Sequence, residues 1–533
     1  MPKLNIFQTV HFSRVLLLII PLIIFAVALH MVGISGPFFI RSVDPDYVYL
    51  FNGLLIGNLN FNVPHIDHPG TPIQVAVAIT SRVAHLFIGK EDYLTDVMSN
   101  PEKYLRITII TLNTLMVGLT YIVGLKLYKL THNLILPLLI QSTPLIAISP
   151  IIGLARLIPD PYIWLSISFL IYMLLKYYFD EDSAKRIKYY STRLGLLCGL
   201  CLSFKFTAIS YFLIPLIILP GYKNKLRFTL FGLLSFPLFA FPTLYNLNFI
   251  YHWVKDILVH KGRYGKGETG LVDSTSFIEN FKTLISSYYE LSYVLLISIA
   301  VLIAFAIYKR FKNDKLLIML SGSILAAIFQ YIIVSKHFAV HYMMPILAII
   351  PLLIVLWSEV VDVLFKRHVK QWILVCALAI ISINSIKNYR ANYPWVKERG
   401  TKKFEVYNLT KTIVGNDKLI ILCLPYGSYF KEQGLEFGIA YTGRFKADFR
   451  GPLQDLHSKV YIYSLNEVFT QAGYYVTPED VLGPNDTAYL FVAANMKNKM
   501  EDLINLFPIK INIEEVRSNM HKGESLYKLT TNE

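Results

Sequence analysis

The chain has 533 residues, of which 54% are hydrophobic and 16% charged, with a mean hydropathy of +0.47. Soluble globular chains run at about 45–50% and 25%, so a soluble, disordered or fibrous protein is excluded. The net charge of +15 lies in short blocks between apolar runs, not in one stripe or tail, which argues against nucleic acid and for an integral membrane protein with many spans.

The first apolar run, 14–36, is too long for a signal-peptide core, lacks a small-residue cleavage site and is followed by more runs. It reads as a transmembrane helix, with Lys3 and Arg14 holding the N-terminus in the cytoplasm. Further runs lie at 106–128, 133–150, 160–179, 194–220, 228–248, 286–308, 316–335, 343–365 and 371–387. The run 194–220 contains Lys205 and Pro215 and divides into two short helices turning near Lys205, which puts both flanking basic blocks on one side. The stretch 71–89 holds Arg82 and His85 and reads as an amphipathic segment on the outer surface. The expected fold is a multi-spanning α-helical membrane protein of about 11 spans, N-terminus inside and C-terminus outside. The proposed inner loops hold 18 Lys+Arg in 55 residues and the outer loops 11 in 122, the direction the positive-inside rule requires.

After Lys387 acidic and basic residues nearly balance and no spanning run follows. Short β-like runs (Leu419–Leu424, Val460–Tyr463, Tyr489–Val492) alternate with polar helical stretches such as Lys497–Leu506. Residues 1–387 are therefore expected to form a transmembrane catalytic domain and 388–533 a soluble α/β domain on the outer face. Cys198 and Cys201 lie inside an apolar run and read as helix packing, not as a redox or zinc site.

The chemistry-bearing residues cluster where spans meet the outer surface. The long loop 37–105 opens with Arg41-Ser-Val-Asp44-Pro-Asp46-Tyr-Val-Tyr49, whose carboxylates could serve as a general base, a metal clamp or a solvated loop end. Pro64-His65-Ile-Asp67-His68-Pro69-Gly70-Thr71-Pro72 follows, a proline-stiffened segment offering acid–base groups or divalent-metal ligands. Asp160 opens a span in Arg156-Leu-Ile-Pro159-Asp160-Pro161. Lys205 lies among apolar neighbours, where a lysine costs about 2.5–3.5 kcal/mol at mid-membrane; it is a functional candidate unless it reaches the interface. Lys336-His337-Phe-Ala-Val-His341-Tyr342-Met-Met-Pro345 gathers cationic or protonatable groups beside a helix start, which suits a lipid phosphate.

These segments, in this order, resemble the C-type (GT-C) glycosyltransferases: the protein O-mannosyltransferases, the lipid A aminoarabinose transferases and the lipopolysaccharide glycosyltransferases. Asp44-Pro45 with Tyr49 is similar to an Asp-Pro-Trp-x-x-Tyr pattern, and His68-Pro69-Gly70-Thr71-Pro72 stands where relatives have His-Pro-Pro-Leu. Asp160 resembles their second loop acid. The glycine-rich helix from Gly195 to Lys205 resembles one ending in Thr-Lys, and His341-Tyr342-Met-Met-Pro345 resembles Arg-Tyr-Leu-Leu-Pro. The resemblance implies a membrane glycosyltransferase in the cytoplasmic membrane of a bacterium. It would move a sugar from a polyprenyl-phosphate-linked donor to an extracytoplasmic glycan, lipid or protein by inverting displacement. Asp44 or Asp46 is the expected base. His65, Asp67, His68, Asp160, Lys205, Lys336, His341 and Tyr342 are expected to bind substrate, with the cations on the lipid phosphate. A divalent cation is left open. The alternatives are a flippase for polyprenyl-linked glycans, against which stand the loop-bound acids and the lack of an internal repeat, and a non-catalytic membrane scaffold.

Overall fold

The computed structural model describes residues 12–531 apart from 67–68, 262–266, 271, 310–313, 366, 425–426, 464–467 and 472. In chain order the helices are α1 (Phe12–Ile34), α2 (Phe38–Arg41), α3 (Val43–Gly57), α4 (Thr71–Ile88), α5 (Tyr93–Ser99), α6 (Pro101–Thr131), α7 (Ile135–Gln141), α8 (Ile148–Gly153), α9 (Pro159–Phe179) and α10 (Ile187–Phe204). There follow α11 (Leu213–Ile218), α12 (Tyr222–Phe239), α13 (Leu247–Val259), α14 (Ser274–Ser287), α15 (Tyr289–Tyr308), α16 (Lys315–Lys336), α17 (Ile349–Leu364), α18 (Arg367–Val414), α19 (Lys431–Ala440) and α20 (Lys446–Leu456).

The protein is a multi-spanning helical membrane protein with a C-terminal α/β domain. Among the described residues eight helices are long and apolar enough to cross a membrane: α1, α4, α6, α9, α15, α16, Val340–Leu364 and Val369–Val414. A ninth is reached if α12 and Phe241–Val259, bent by 89°, form one crossing. Eleven were expected, and the differences have local causes. The run 133–150 carries Pro137, Pro144 and Pro150 and breaks into α7, a 3₁₀ turn and α8, because proline removes a backbone donor and clashes with the preceding turn. At Lys205 the chain does turn: α10 stops at Phe204, Lys205 is extended, and a 3₁₀ stretch leads into α11. The run 371–387 is part of α18, which continues to Val414 with Pro394 inside it. Thr71–Ile88, expected to lie on the surface, is a helix long and apolar enough to span. Its Arg82 donates to the Gly57 carbonyl (2.7 Å) and to Asn58 Oδ1 (2.5 Å), with the guanidinium 3.7 Å from the Tyr93 ring centroid.

The chain packs as two units. The first comprises residues 1–29, 66–73 and 111–391. Its tightest helix pair is α10 against α12, and glycine spacing makes it. A Cβ on Gly195 would lie 2.4 Å from the Phe228 carbonyl oxygen, and one on Gly199 2.4 Å from that of Gly232. Small residues four apart let two backbones meet this way inside a bilayer. Cys198 and Cys201 are buried thiols on the same helix.

The second unit comprises 30–65, 74–110 and 392–533. Its seven-stranded sheet has the order β4-β3-β2-β1-β5-β7-β6, with β1 (Lys418–Leu422), β2 (Val460–Tyr463), β3 (Phe469–Gln471), β4 (Tyr474–Val476), β5 (Thr487–Val492), β6 (Ile511–Arg517) and β7 (Ser525–Thr531). β1 is parallel to both β2 and β5, with Ile420 opposite Tyr461 and Leu490; the outer pairs are antiparallel. Central strands buried on both faces read as continuous apolar runs, and Leu419–Leu422 and Leu490–Val492 are almost fully buried. Against the first-loop helix α3 packs α19, again through glycines. A Cβ on Gly434 would lie 2.7 Å from Tyr47 Cζ, and one on Gly438 2.4 Å from Phe51 Cδ2.

Candidate functional site

In the first unit, three expected site residues meet. α9 begins Pro159-Asp160-Pro161, and proline suits a first turn whose N–H groups have no intrahelical acceptor. This sets Asp160 at the helix start, where its carboxylate accepts a hydrogen bond from Lys205 Nζ at 2.5 Å. The two side chains are 5% and 3% exposed. Lys205 Nζ also lies 4.7 Å from the centroid of the Tyr342 ring, within the range of a cation–π attraction. The break in the helix is what brings the ammonium here. Lys205 bridges Pro69 through the backbone, and the Gly70 N–H, at φ 62°, donates to the Phe204 carbonyl at 3.2 Å. The proline-rich segment of the first loop thus completes the end of α10.

The turn carrying Tyr342 is fixed from three sides. Gln330 Nε2 donates to the Tyr342 carbonyl (2.7 Å), Trp164 Nε1 to that of Met344 (3.1 Å) and Tyr211 Oη to that of Pro345 (2.9 Å). These three donors were not anticipated; their signal was a polar group inside an otherwise apolar run. His341 is half-buried, its ring 4.6 Å from that of Tyr342. Lys336 is engaged otherwise than expected: its Nζ donates to the carbonyls of Ile257 (2.9 Å) and Leu258 (2.8 Å) at the end of α13.

In the second unit, Asp44 and Asp46 lie in the first turn of α3. Asp44 has non-helical backbone angles (φ −94°, ψ 124°), its peptide bond to Pro45 is cis, and Ser42 Oγ donates to its carbonyl at 2.8 Å. Asp44 is half-buried, whereas Asp46 is 0% exposed. The segment is braced by groups that the sequence reading did not single out. Glu102 accepts from the N–H groups of Phe38 (2.7 Å) and Phe39 (3.2 Å) and from Tyr47 Oη (2.9 Å). Burial, reinforced by the Glu102 charge, holds the Tyr47 hydroxyl well above its usual range, so it stays a neutral donor. Arg399 donates to the Arg41 carbonyl (2.6 Å) and Lys403 to that of Ile40 (3.3 Å). The Arg41 guanidinium donates to the carbonyls of Val32 and Gly36.

His65 stands edge-on to Tyr49 (5.5 Å) and Tyr441 (5.6 Å), its N–H bonded to Asn52 Oδ1 and its carbonyl to Gln74 Nε2. Asp67 and His68 lie outside the described residues. Among the described residues no group of three or more His, Cys, Asp or Glu side chains could hold a metal ion.

Each cluster offers a distinct chemistry. The first provides a desolvated ammonium, oriented by a carboxylate and an aromatic face, whose charge suits an oxyanion. The second provides a carboxylate pair on a braced helix start. No family model and no curated protein matches the sequence. Among solved structures the chain is similar to the crystal structure of ArnT from Cupriavidus metallidurans bound to undecaprenyl phosphate. The two are 10% identical, 95% of this chain and 97% of that chain are covered, and the TM-score is 0.49.

Proposed function

We propose that the protein is a membrane glycosyltransferase that moves a sugar from a polyprenyl-phosphate-linked donor to a hydroxyl of an extracytoplasmic acceptor. The observation that carries this reading is the buried Asp160–Lys205–Tyr342 cluster with Pro69 and Gly70 at its edge. Four segments whose order resembles the C-type glycosyltransferases meet at Lys205, two at its ammonium and the proline-rich one at its backbone. A buried ion pair is a poor source of stability, since desolvation offsets its attraction, so a ligand for the ammonium is the better reason for its presence.

In the proposed reaction the acceptor hydroxyl attacks the anomeric carbon and gives its proton to a first-loop carboxylate. The bond from that carbon to the phosphate oxygen breaks, and the lipid phosphate leaves with the electron pair. Asp44 is the better base because it is half-exposed at a kink, while Asp46 is fully buried and supports the turn. Lys205 offers its ammonium to the departing phosphate, where charge develops, and Asp160 keeps it aimed. The density of Lys and Arg in the loops supports an outer position for the segment that carries Asp44 and Asp46 and for the C-terminal domain.

The test is transfer by the purified full chain from labelled polyprenyl-phosphate sugars. Asp44→Asn should lower turnover by about 10²-fold or more, the low end for loss of a general base. Full activity in Asp44→Asn, Asp46→Asn and the double variant together would rule out both carboxylates. The orientation is checked by impermeant thiol labelling of Ser42→Cys in intact cells, in a Cys376→Ser background; protection from the reagent would reverse it.

A further inference from the structure

The first unit contains a cavity that the transfer reaction does not use. It has a volume of about 190 Å³, and Lys261, Ser276, Phe277, Asn280, Ser335 and Lys336 are among the residues that line it. We infer that it binds the phosphodiester headgroup of a lipid.

The polar lining asks for an anion. Among the described residues neither Lys261 nor Lys336 has a carboxylate within ion-pair distance. Lys336 is held in place by the carbonyls of Ile257 and Leu258, and an ammonium has a third hydrogen to donate. Lys261 is positioned by its backbone: its N–H donates to the Glu268 carbonyl and its carbonyl accepts from the Gly267 N–H, both at 3.0 Å, beside the bridge from His260 to Thr269. At the floor, Ser335 is 1% exposed and its hydroxyl has no hydrogen-bond partner. Leaving such a group unsatisfied costs about 1–3 kcal/mol, and a ligand oxygen would satisfy it.

The charge balance selects the kind of anion. Asp273 also lines the cavity, at its exposed rim, where its carboxylate caps the Thr275 N–H at 3.2 Å. Among the described lining residues, two ammoniums and one carboxylate leave a net charge of +1, which matches a phosphodiester monoanion better than a phosphomonoester dianion.

The neighbouring helix identifies the ligand as a lipid. α13, whose last carbonyls Lys336 holds, has no buried residue. It exposes Leu247, Phe249, Tyr251, Val254, Leu258 and Val259. It follows α12 through an 89° bend. A helix with exposed apolar and aromatic side chains, turned off a span, belongs in the plane of the membrane interface. A headgroup in the cavity would therefore have its hydrocarbon chain beside α13. Since the proposed reaction already assigns the donor phosphate to Lys205, on that reading the occupant of this second site is a bilayer phospholipid.

The experiment titrates the delipidated full chain in maltoside micelles, following the fluorescence of Trp253 on α13. The probes are dioctanoyl phosphatidylglycerol, a short-chain prenyl phosphosugar, dioctanoylglycerol and inorganic phosphate. A prenyl phosphosugar bound more tightly than the phospholipid, and lost in Lys261→Gln, would make this the donor site and overturn the inference; saturable binding is expected for dioctanoyl phosphatidylglycerol and not for dioctanoylglycerol. Lys261→Gln should weaken it at least tenfold and Ser335→Ala about threefold. These two variants leave the Lys336 cap of α13 in place, so their folding is not at stake. Asp44→Asn should bind as the wild type does, which keeps failure of this site distinct from failure of the transfer reaction. Equal binding of the neutral glycerolipid, inorganic phosphate binding as tightly as either lipid, or unchanged affinity in both variants would overturn the inference.

Discussion

Replacing Lys205 by methionine separates a structural ammonium from a substrate-binding one. At an effective dielectric constant of about 20, charges at the 2.5 Å separation of Lys205 Nζ and the Asp160 carboxylate attract by about 7 kcal/mol. Desolvating the two ions costs several kcal/mol each, so the pair is close to neutral in net. Breaking it is not neutral: Lys205→Met strands the Asp160 carboxylate, and such losses run to about 3–5 kcal/mol. Asp160→Asn should cost a comparable amount by stranding the lysine. The double variant leaves no uncompensated ion and should return to within about 1–2 kcal/mol of the parent. Equilibrium unfolding in mixed micelles closes this cycle, and sugar transfer is measured on the same four proteins. If Lys205 acts on the lipid phosphate, the double variant recovers stability but not turnover. Recovery of turnover together with stability would refute the assignment and leave the pair a structural element.

Two further outcomes concern the second unit. Gly438→Ala would put a Cβ 2.4 Å from Phe51 Cδ2 and 2.9 Å from the Tyr47 carbonyl, so thermal unfolding should show a loss of about 1–3 kcal/mol; transfer should fall too, because α3 carries Asp46. Gly451→Ala, with nothing within 4 Å of its Cβ, is the control and should be neutral or slightly stabilising, and equal effects would dismiss the packing argument. The second outcome is a pH dependence. Burial alone would raise the pKa of Glu432, but His457 (3.3 Å) and Lys411 (2.8 Å) outweigh it and hold the carboxyl at about 2. Its folded pKa thus lies below the unfolded value near 4.3. The stabilisation, about 3 kcal/mol at most, is present above that value and lost as pH falls toward 2. Glu432→Gln should therefore flatten the stability profile between about pH 4.5 and 2; an unchanged slope would show that other carboxylates set it.

What could be read from the residues depended on cost. Asp160, Lys205 and Tyr342 were legible because charges and their partners inside apolar runs are expensive, and the structure brings them together. Lys336 bore the same signature, and its ammonium also caps α13: a helix-end lysine looks alike in sequence whether or not carbonyls share it. The helix Thr71–Ile88 is long and apolar enough to span, and the acceptors of its Arg82 come from Gly57 and Asn58; no local pattern reveals a remote carbonyl. Glu102, an acid beside a proline at a helix start, carries no local sign that it holds both α2 and Tyr47. The Gly434 and Gly438 spacing was open to notice but sits in a polar helix, where small residues usually need no partner.

The α/β domain poses its own question, because its topology provides a place where such sheets bind ligands. β1 lies between β2 and β5 and is parallel to both, so the crevice beyond its carboxyl end is a topological switch point. The chain that follows β1 is held by a buried lysine. Lys403 donates to the carbonyls of Gly427 and Ser428, both at 2.9 Å, and lies 4.5 Å from the Tyr429 ring centroid. Tyr429 in turn bonds Glu524 and packs on Phe491 of β5. Since Lys403 also donates to the Ile40 carbonyl, the chain after β1 is tied to the segment that leads into Asp44 and Asp46. The backbone after β1 and the backbone of the first loop thus share one ammonium, that of Lys403, as their common donor.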